Sequence, residues 1–239
     1  NTFARYAPLT VHSRNGTLVD NSKVTSRGDL HISASKTDNA KTADTVISNN
    51  SELRAQKTLT ISGERDAYIK SGSRVVESND FALQAGRNAV IDNSGSIKVT
   101  NDAVVQAEEL AYLKNNSQPI NIGKQLIVQG KQATVLNTTA NANDGIYINS
   151  QGKDTTITNS NLNSSKGAVT AVANQAVLNV NKLTTNANST ILAATGDVSI
   201  LGSTFTTDNI AIESGQNLTA TQLTTINKDI KQTGSINTK

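Results

Sequence analysis

The stretch "GDVSILGSTFTTDNIAIESGQNLTATQL", Gly196 to Leu223, carries one pattern twice. In each copy a Gly and one or two polar residues lead into two outer positions flanking a single residue: Val198 and Ile200, then Leu218 and Ala220. A two-residue period puts both outer side chains on the same face of an extended strand. A further apolar residue follows, Phe205 after "GST" and Leu223 after "TQ". Gly, Asn and Ser tolerate turn geometry and Asn visits left-handed conformations, so such polar pieces read as corners between short strands.

Working outward, the register recurs in "RGDLHI", "AGRNAVI", "IGKQLIV" and "QGKDTTI", and without the Gly in "AQKTLTI" and "NQAVLNV". The first members of the pairs are residues 30, 59, 89, 126, 155, 178, 198 and 218, with gaps of 29, 30, 37, 29, 23, 20 and 20. The period is therefore expected to settle towards 20 at the C-terminal end. Leu162 after "NSN" and Leu183 after "NK" repeat the apolar residue beyond the corner.

A unit this short cannot bury its apolar face alone, and stacking successive coils with parallel backbone pairing solves that. The fold expected is all-β: a right-handed parallel β-helix of about 20-residue rungs, forming a single segment over residues 1–239. Handedness follows from the crossover rule. Some 8 to 12 rungs at ~4.8 Å each would give a rod of roughly 40 to 55 Å. Longer loops are expected in the N-terminal half, and the irregular stretches are Lys36 to Asn50, Glu64 to Asp80, Glu108 to Gly123 and Thr138 to Gly152. A β-sandwich would not need one motif at one phase eight times. "DAVVQAEELAYLKN", Asp102 to Asn115, suits a helical turn or a loop, but its "VQAEEL" also fits the rung spacing of "LNVNKL" and "LTATQL".

Composition points the same way. About a third of the residues are Asn, Ser or Thr, aromatics are 3%, and Met, Trp and Cys are absent. That favours a thin, regular core of Val, Ile, Leu and Ala over a compact one filled by Phe, Trp and Met. Without cysteine there is no disulfide scaffold and no thiolate metal site. No apolar run approaches the ~20 residues that span a bilayer, so no membrane insertion is expected. The 22 basic and 19 acidic residues are interleaved. A nucleic-acid face would need a basic stripe and stacking aromatics.

The repeats Gly196 to Leu223 and "AGRNAVIDNSGSIKV", Ala85 to Val99, resemble those of filamentous haemagglutinin-type exoproteins. The resemblance spans nearly the whole chain and is sharpest after Asp154. It implies a long β-helical rod exported by a dedicated outer-membrane transporter and placed outside a Gram-negative cell or on its outer-membrane surface. Adhesins and the stalks of contact-dependent growth-inhibition toxins share it, so it implies cell contact, with a receptor or glycan as partner, or presentation of a distal domain. That family's secretion domain carries Asn-Pro-Asn motifs, which this sequence lacks, and the chain opens on "NTFARYAPLT" without Met. Both features read as an interior piece of a longer protein. The alternative is a β-helix that binds or degrades polysaccharide.

Catalysis would need converging carboxylates or a metal site. Stacking could align Asp154 with Asp197, but Asn217, Gln125 and Asn88 interrupt that column. Glu108 and Glu109 point to opposite faces if they lie on a strand. His12 and His31 lack acidic partners at ligand spacing, and His31, between Leu30 and Ile32, is expected to face water. No catalytic, metal or cofactor-binding residue is therefore expected. Arg27-Gly28-Asp29 spells a tripeptide that integrins recognise. Gly28 and Asp29 are expected to occupy the slots of Gly196 and Asp197, so the repeat accounts for them. The candidate contact residues are Tyr68, Tyr112 and Tyr147, each within an expected loop.

Overall fold

A computed structural model describes residues 2–4, 7–36 and 43–226. The chain winds as a parallel β-helix of about ten turns with rungs of about 22 residues. Each turn lays one strand on each of three faces. In the second turn these are Leu30–Ala34, Thr45–Ser48 and Glu52–Ala55; in the fourth, Asp80–Ala85, Asn88–Asp92 and Ile97–Val99. From the seventh turn onward strands bend around corners, so Leu178–Ala194 serves all three faces in succession.

Alternation within each strand separates core from solvent. Thr58–Gly63 alternates half-buried and buried residues throughout. In-register parallel pairing then stacks the inward residues into columns. On the first face Leu30 pairs with Leu59, Leu59 with Phe81 and Phe81 with Ala103. On the second, Ile47 pairs with Ile69, Ile69 with Ile91 and Ile91 with Leu113. Most of these side chains are fully buried, and each large aliphatic contributes roughly 1.5–3 kcal/mol.

The third face alternates large and small along the axis. Ser160 and Leu162 occupy its two inward positions in one turn, Leu183 and Thr185 in the next, then Ser203 and Phe205. Large side chains thus interdigitate with small ones on neighbouring turns. This also explains why the apolar residue beyond the corner follows at either three or five positions: Leu183 and Phe205 sit in different columns.

The corner between the second and third faces carries a left-handed residue in every turn. Asn93, Asn115, Asn137 and Asn159 have φ of 48°, 51°, 47° and 48°, while Lys182, Gly202 and Gln222 continue the series at 53°, 57° and 55°. Asn dominates because its short amide tolerates this conformation and bonds locally. It also bonds axially: Asn137 Nδ2 donates to Asn115 Oδ1 at 2.8 Å and Asn159 Nδ2 to Asn137 Oδ1 at 2.9 Å. The pieces "NSN", "NK", "GST" and "TQ" are therefore corners, as expected.

Two sequence expectations need correction. The pairs beginning at 30, 59 and 126 lie on the first face, and those at 89, 155, 178, 198 and 218 on the second. The gaps of 30 and 37 and the second gap of 29 arose from hopping between faces; rungs average about 22 residues and, as expected, shorten to 20 at the C-terminal end, where Leu178 pairs with Val198 and Val198 with Leu218. The expected loops are also mostly rungs. Glu64 to Asp80 contains the strands Asp66–Lys70 and Arg74–Ser78, Glu108 to Gly123 contains Leu110–Lys114 and Ile120–Ile122, and Thr138 to Gly152 contains Thr139–Ala142 and Gly145–Ser150. Of the expected loop Lys36 to Asn50, residues 37–42 lie outside the described residues, and Thr45–Ser48 is a strand. Asp102 to Asn115 forms two strands, Ala103–Ala107 and Leu110–Lys114, with no helix.

Candidate binding groove

On the third face the outward residue near the strand end and the corner residue two positions on point to the same side, with a buried residue between them. These outward pairs include Asn141 with Asn143, Asn163 with Ser165, and Asn186 with Asn188. Stacking turns them into two parallel columns bounding a groove of about 870 Å³, which runs from Lys98 to Asp208 over six turns. Its floor is made by small and aliphatic residues such as Ile122, Ala142 and Ala187. Lys98 and Asp208 at the two ends are the charged residues of the lining; amides and hydroxyls lie between.

The amides of one wall form a ladder. Asn141 Nδ2 donates to Asn121 Oδ1, and Asn163 Nδ2 donates to Asn141 Oδ1, both at 2.8 Å. On the other wall Ser165 Oγ donates to Asn143 Oδ1 at 3.1 Å, and Asn188 Nδ2 donates to the Lys166 carbonyl at 2.8 Å. A primary amide has two N–H donors and an oxygen with two lone pairs, so each ladder bond fixes its orientation and leaves further capacity facing the groove. Sequence reading missed these residues because it followed the apolar positions. The signal was present: Asn141-Ala142-Asn143, Asn163-Ser164-Ser165 and Asn186-Ala187-Asn188 repeat Asn-x-Asn/Ser at rung spacing.

The three tyrosines do not share a surface. Tyr68 and Tyr112 lie outward on the second face, each paired with Val90 from opposite sides, and Val90 is thereby 7% exposed. Tyr147 lies on the first face, between Ile127 and Thr170. All three are on strands rather than loops. Lys70 Nζ stands 5.8 Å from the centre of the Tyr68 ring and Lys114 Nζ 5.2 Å from that of Tyr112, within cation–π range.

The scattered carboxylates hold the stack together. Asp29 Oδ1 accepts the Thr58 N–H at 3.1 Å, Asp102 Oδ1 that of Gln125 at 3.1 Å, Asp154 Oδ1 that of Val177 at 3.2 Å, and Asp197 Oδ1 that of Asn217 at 3.0 Å. An Asp at the entry to a strand thus caps the backbone of the next turn. Asp29 leads into the first face and Asp197 into the second, so Gly28-Asp29 and Gly196-Asp197 do the same job at different corners rather than occupying the same slot. Around the integrin-like tripeptide, Ser26 Oγ accepts the Gly28 N–H and donates to the Asp29 carbonyl, fixing the turn.

At the corner between the first and second faces, opposite charges pair along the axis. Arg65 bridges Asp44 and Asp66, Arg87 chelates Asp66, and Glu109 takes both Lys131 and Lys153 at 3.2 and 3.4 Å. Asp66 is buried at 1% side-chain exposure. Burial alone would raise its pKa, but the Arg87 hydrogen bonds and charge, with the Tyr68 hydroxyl and Arg65, hold it below the ordinary carboxylate range. Glu109 is at this corner, not on a strand, and its two lysines lower its pKa. His31 faces outward as expected, and His12 is bracketed by Ser33 Oγ at 2.9 Å and Ser35 Oγ at 3.2 Å. Among the described residues no three His, Cys, Asp or Glu side chains gather as metal ligands.

Comparisons of the chain with protein-family models, with curated proteins and with solved structures gave no match.

Proposed function

We propose that this chain is a rigid segment of a secreted, cell-surface rod of filamentous haemagglutinin type, mediating cell contact or presenting a distal domain. The observation that carries the reading is the uninterrupted stacking of about ten turns through parallel backbone pairing and axial side-chain ladders. At ~4.8 Å per turn this is a rod of roughly 45–50 Å, and such one-dimensional stacking extends by adding turns. Asp29, Asp102, Asp154 and Asp197 are bound to backbone N–H groups of neighbouring turns, and Asp66 and Glu109 to Arg and Lys, so these carboxylates do not form a free pair for polysaccharide cleavage. This favours a structural and contact role over catalysis. Export by a dedicated outer-membrane transporter and a cell-surface receptor or glycan belong to the same reading. Tyr68 and Tyr112, on either side of the buried Val90, are contact candidates on one face and Tyr147 on another.

The test is location and binding in the producing cell. Protease shaving of intact cells should remove the protein, and deleting its dedicated outer-membrane transporter should trap it inside. Labelled 239-residue chain should bind target cells saturably if it is itself adhesive, and should not if it is a spacer. A cytoplasmic, protease-protected protein would overturn the reading.

A further inference from the structure

We infer that the groove on the third face binds a neutral, extended polysaccharide chain lying parallel to the rod axis. This deepens the cell-contact part of the proposed function by naming the ligand class, and it rests on three features of the groove. The first is shape: the groove is open, about 870 Å³ in volume, and continuous over six turns, which suits a linear polymer better than a compact small molecule. The second is chemistry. Both walls present amides and hydroxyls, and the charges of Lys98 and Asp208 stand only at the ends. Sugar hydroxyls donate and accept, and each amide offers both functions; an anionic chain would find no cation between the two ends.

The third feature is periodicity. Equivalent groups on successive turns recur at ~4.8 Å, close to the advance per sugar of an extended β-1,4-linked pyranose chain, whose alternate sugars are turned over so that like hydroxyls meet every second turn. An extended peptide repeats its side-chain positions on one face only every ~6.6–6.8 Å and drifts out of phase. The Asn121–Asn141–Asn163 bonds orient the amides before any ligand arrives, so little side-chain entropy remains to be lost on binding. Successive sugars meet successive turns, and affinity should rise with chain length until the groove is filled.

Isothermal titration calorimetry of the 239-residue chain with cellohexaose and chitohexaose tests the inference directly. Saturable binding of at least one hexasaccharide is expected, at least tenfold tighter than the corresponding disaccharide. The double variant Asn141→Ala/Asn163→Ala should weaken it at least tenfold, while Gln106→Ala, outward on the first face, should leave it unchanged. Circular dichroism and the unfolding midpoint of each variant separate lost contacts from lost fold. If the double variant fails to fold, titrating hexasaccharide into fluorophore-labelled Asn188→Cys supplies the second reading: a saturable change in signal is expected, and an unchanged signal would overturn the inference. No saturable binding of either hexasaccharide, binding undiminished in the folded double variant, or tighter binding of a heparin hexasaccharide would each overturn the inference. None of these outcomes bears on where the protein is located, so the rod reading stands or falls separately.

Discussion

The hydroxyl oxygens of Thr185 and Thr190 lie 3.0 Å apart in the interior, where the third face turns into the first, and both residues are fully buried. Their neighbours in the columns are apolar: Thr185 lies between Leu162 and Phe205, and Thr190 between Val169 and Ile210. Each hydroxyl thus answers the other. Replacing Thr185 alone by Val should leave the Thr190 hydroxyl buried without that partner and cost about 1–2 kcal/mol. Replacing both by Val should be near neutral, because neither polar group then remains. Chemical denaturation of the two single variants and the double gives the coupling; additive losses would show that the pair is not a unit.

The left-handed corner gives a second prediction. Asn137 has φ 47° and is the middle member of a three-amide ladder. Asn137→Gly keeps the backbone relaxed and loses the ladder bonds, so it should cost about 1 kcal/mol. Asn137→Val adds the left-handed penalty of a branched side chain and should cost about 2–3 kcal/mol in all. Equal losses in urea denaturation would mean that backbone conformation does not decide this corner.

These corners also show what the sequence could reveal and what it hid. The pieces "NSN" and "GST" were legible because their left-handed residues are Asn159 and Gly202, whereas "NK" and "TQ" place Lys182 and Gln222 there; the Gly-led strands after Gly196 and Gly215 announced the second face. The first face was harder to follow. Its column runs through Phe81, Ala103 and Val169, none preceded by the full Gly-polar lead. The inward column of Ala67, Ala89, Ala111 and Ala133 on the second face carries little hydrophobic signal, yet all four are fully buried. A motif that starts strands on two faces cannot by itself reveal which face it starts. The groove was less legible still, since its amides sit in a composition where Asn is everywhere and only register sets them apart. The tyrosines stood out as aromatic, but loop or strand depended on a period that the mixed gaps obscured.

Acid should loosen the charged corner. Asp66 has its pKa held below the ordinary carboxylate range, chiefly by Arg87 against the opposing effect of burial. A depressed folded-state pKa adds stability that is present above the unfolded value of ~3.9. That contribution is lost as pH falls through the lower folded value. The unfolding midpoint should therefore drop steeply below about pH 4. Asp66→Asn should be less stable at neutral pH and show a shallower acid limb, since the group that titrates is gone. A parallel acid limb in wild type and variant would assign the acid sensitivity to other carboxylates.

The Arg-Gly-Asp tripeptide should behave as architecture. Asp29 accepts the Thr58 N–H at 3.1 Å, and a Cβ added at Gly28 would meet the Ala7 carbonyl oxygen at 3.1 Å. Asp29→Ala should lower stability by about 1–2 kcal/mol through the lost charge-assisted bond and the strand entry it caps. Asp29→Glu keeps the charge but displaces the carboxylate by one methylene and should cost a similar or slightly smaller amount. Neither change should alter attachment of integrin-bearing cells to surfaces coated with the folded chain. A loss of attachment in Asp29→Glu with the unfolding midpoint intact would show instead that the corner is read by a receptor, with the backbone bond to Thr58 opening to release the carboxylate.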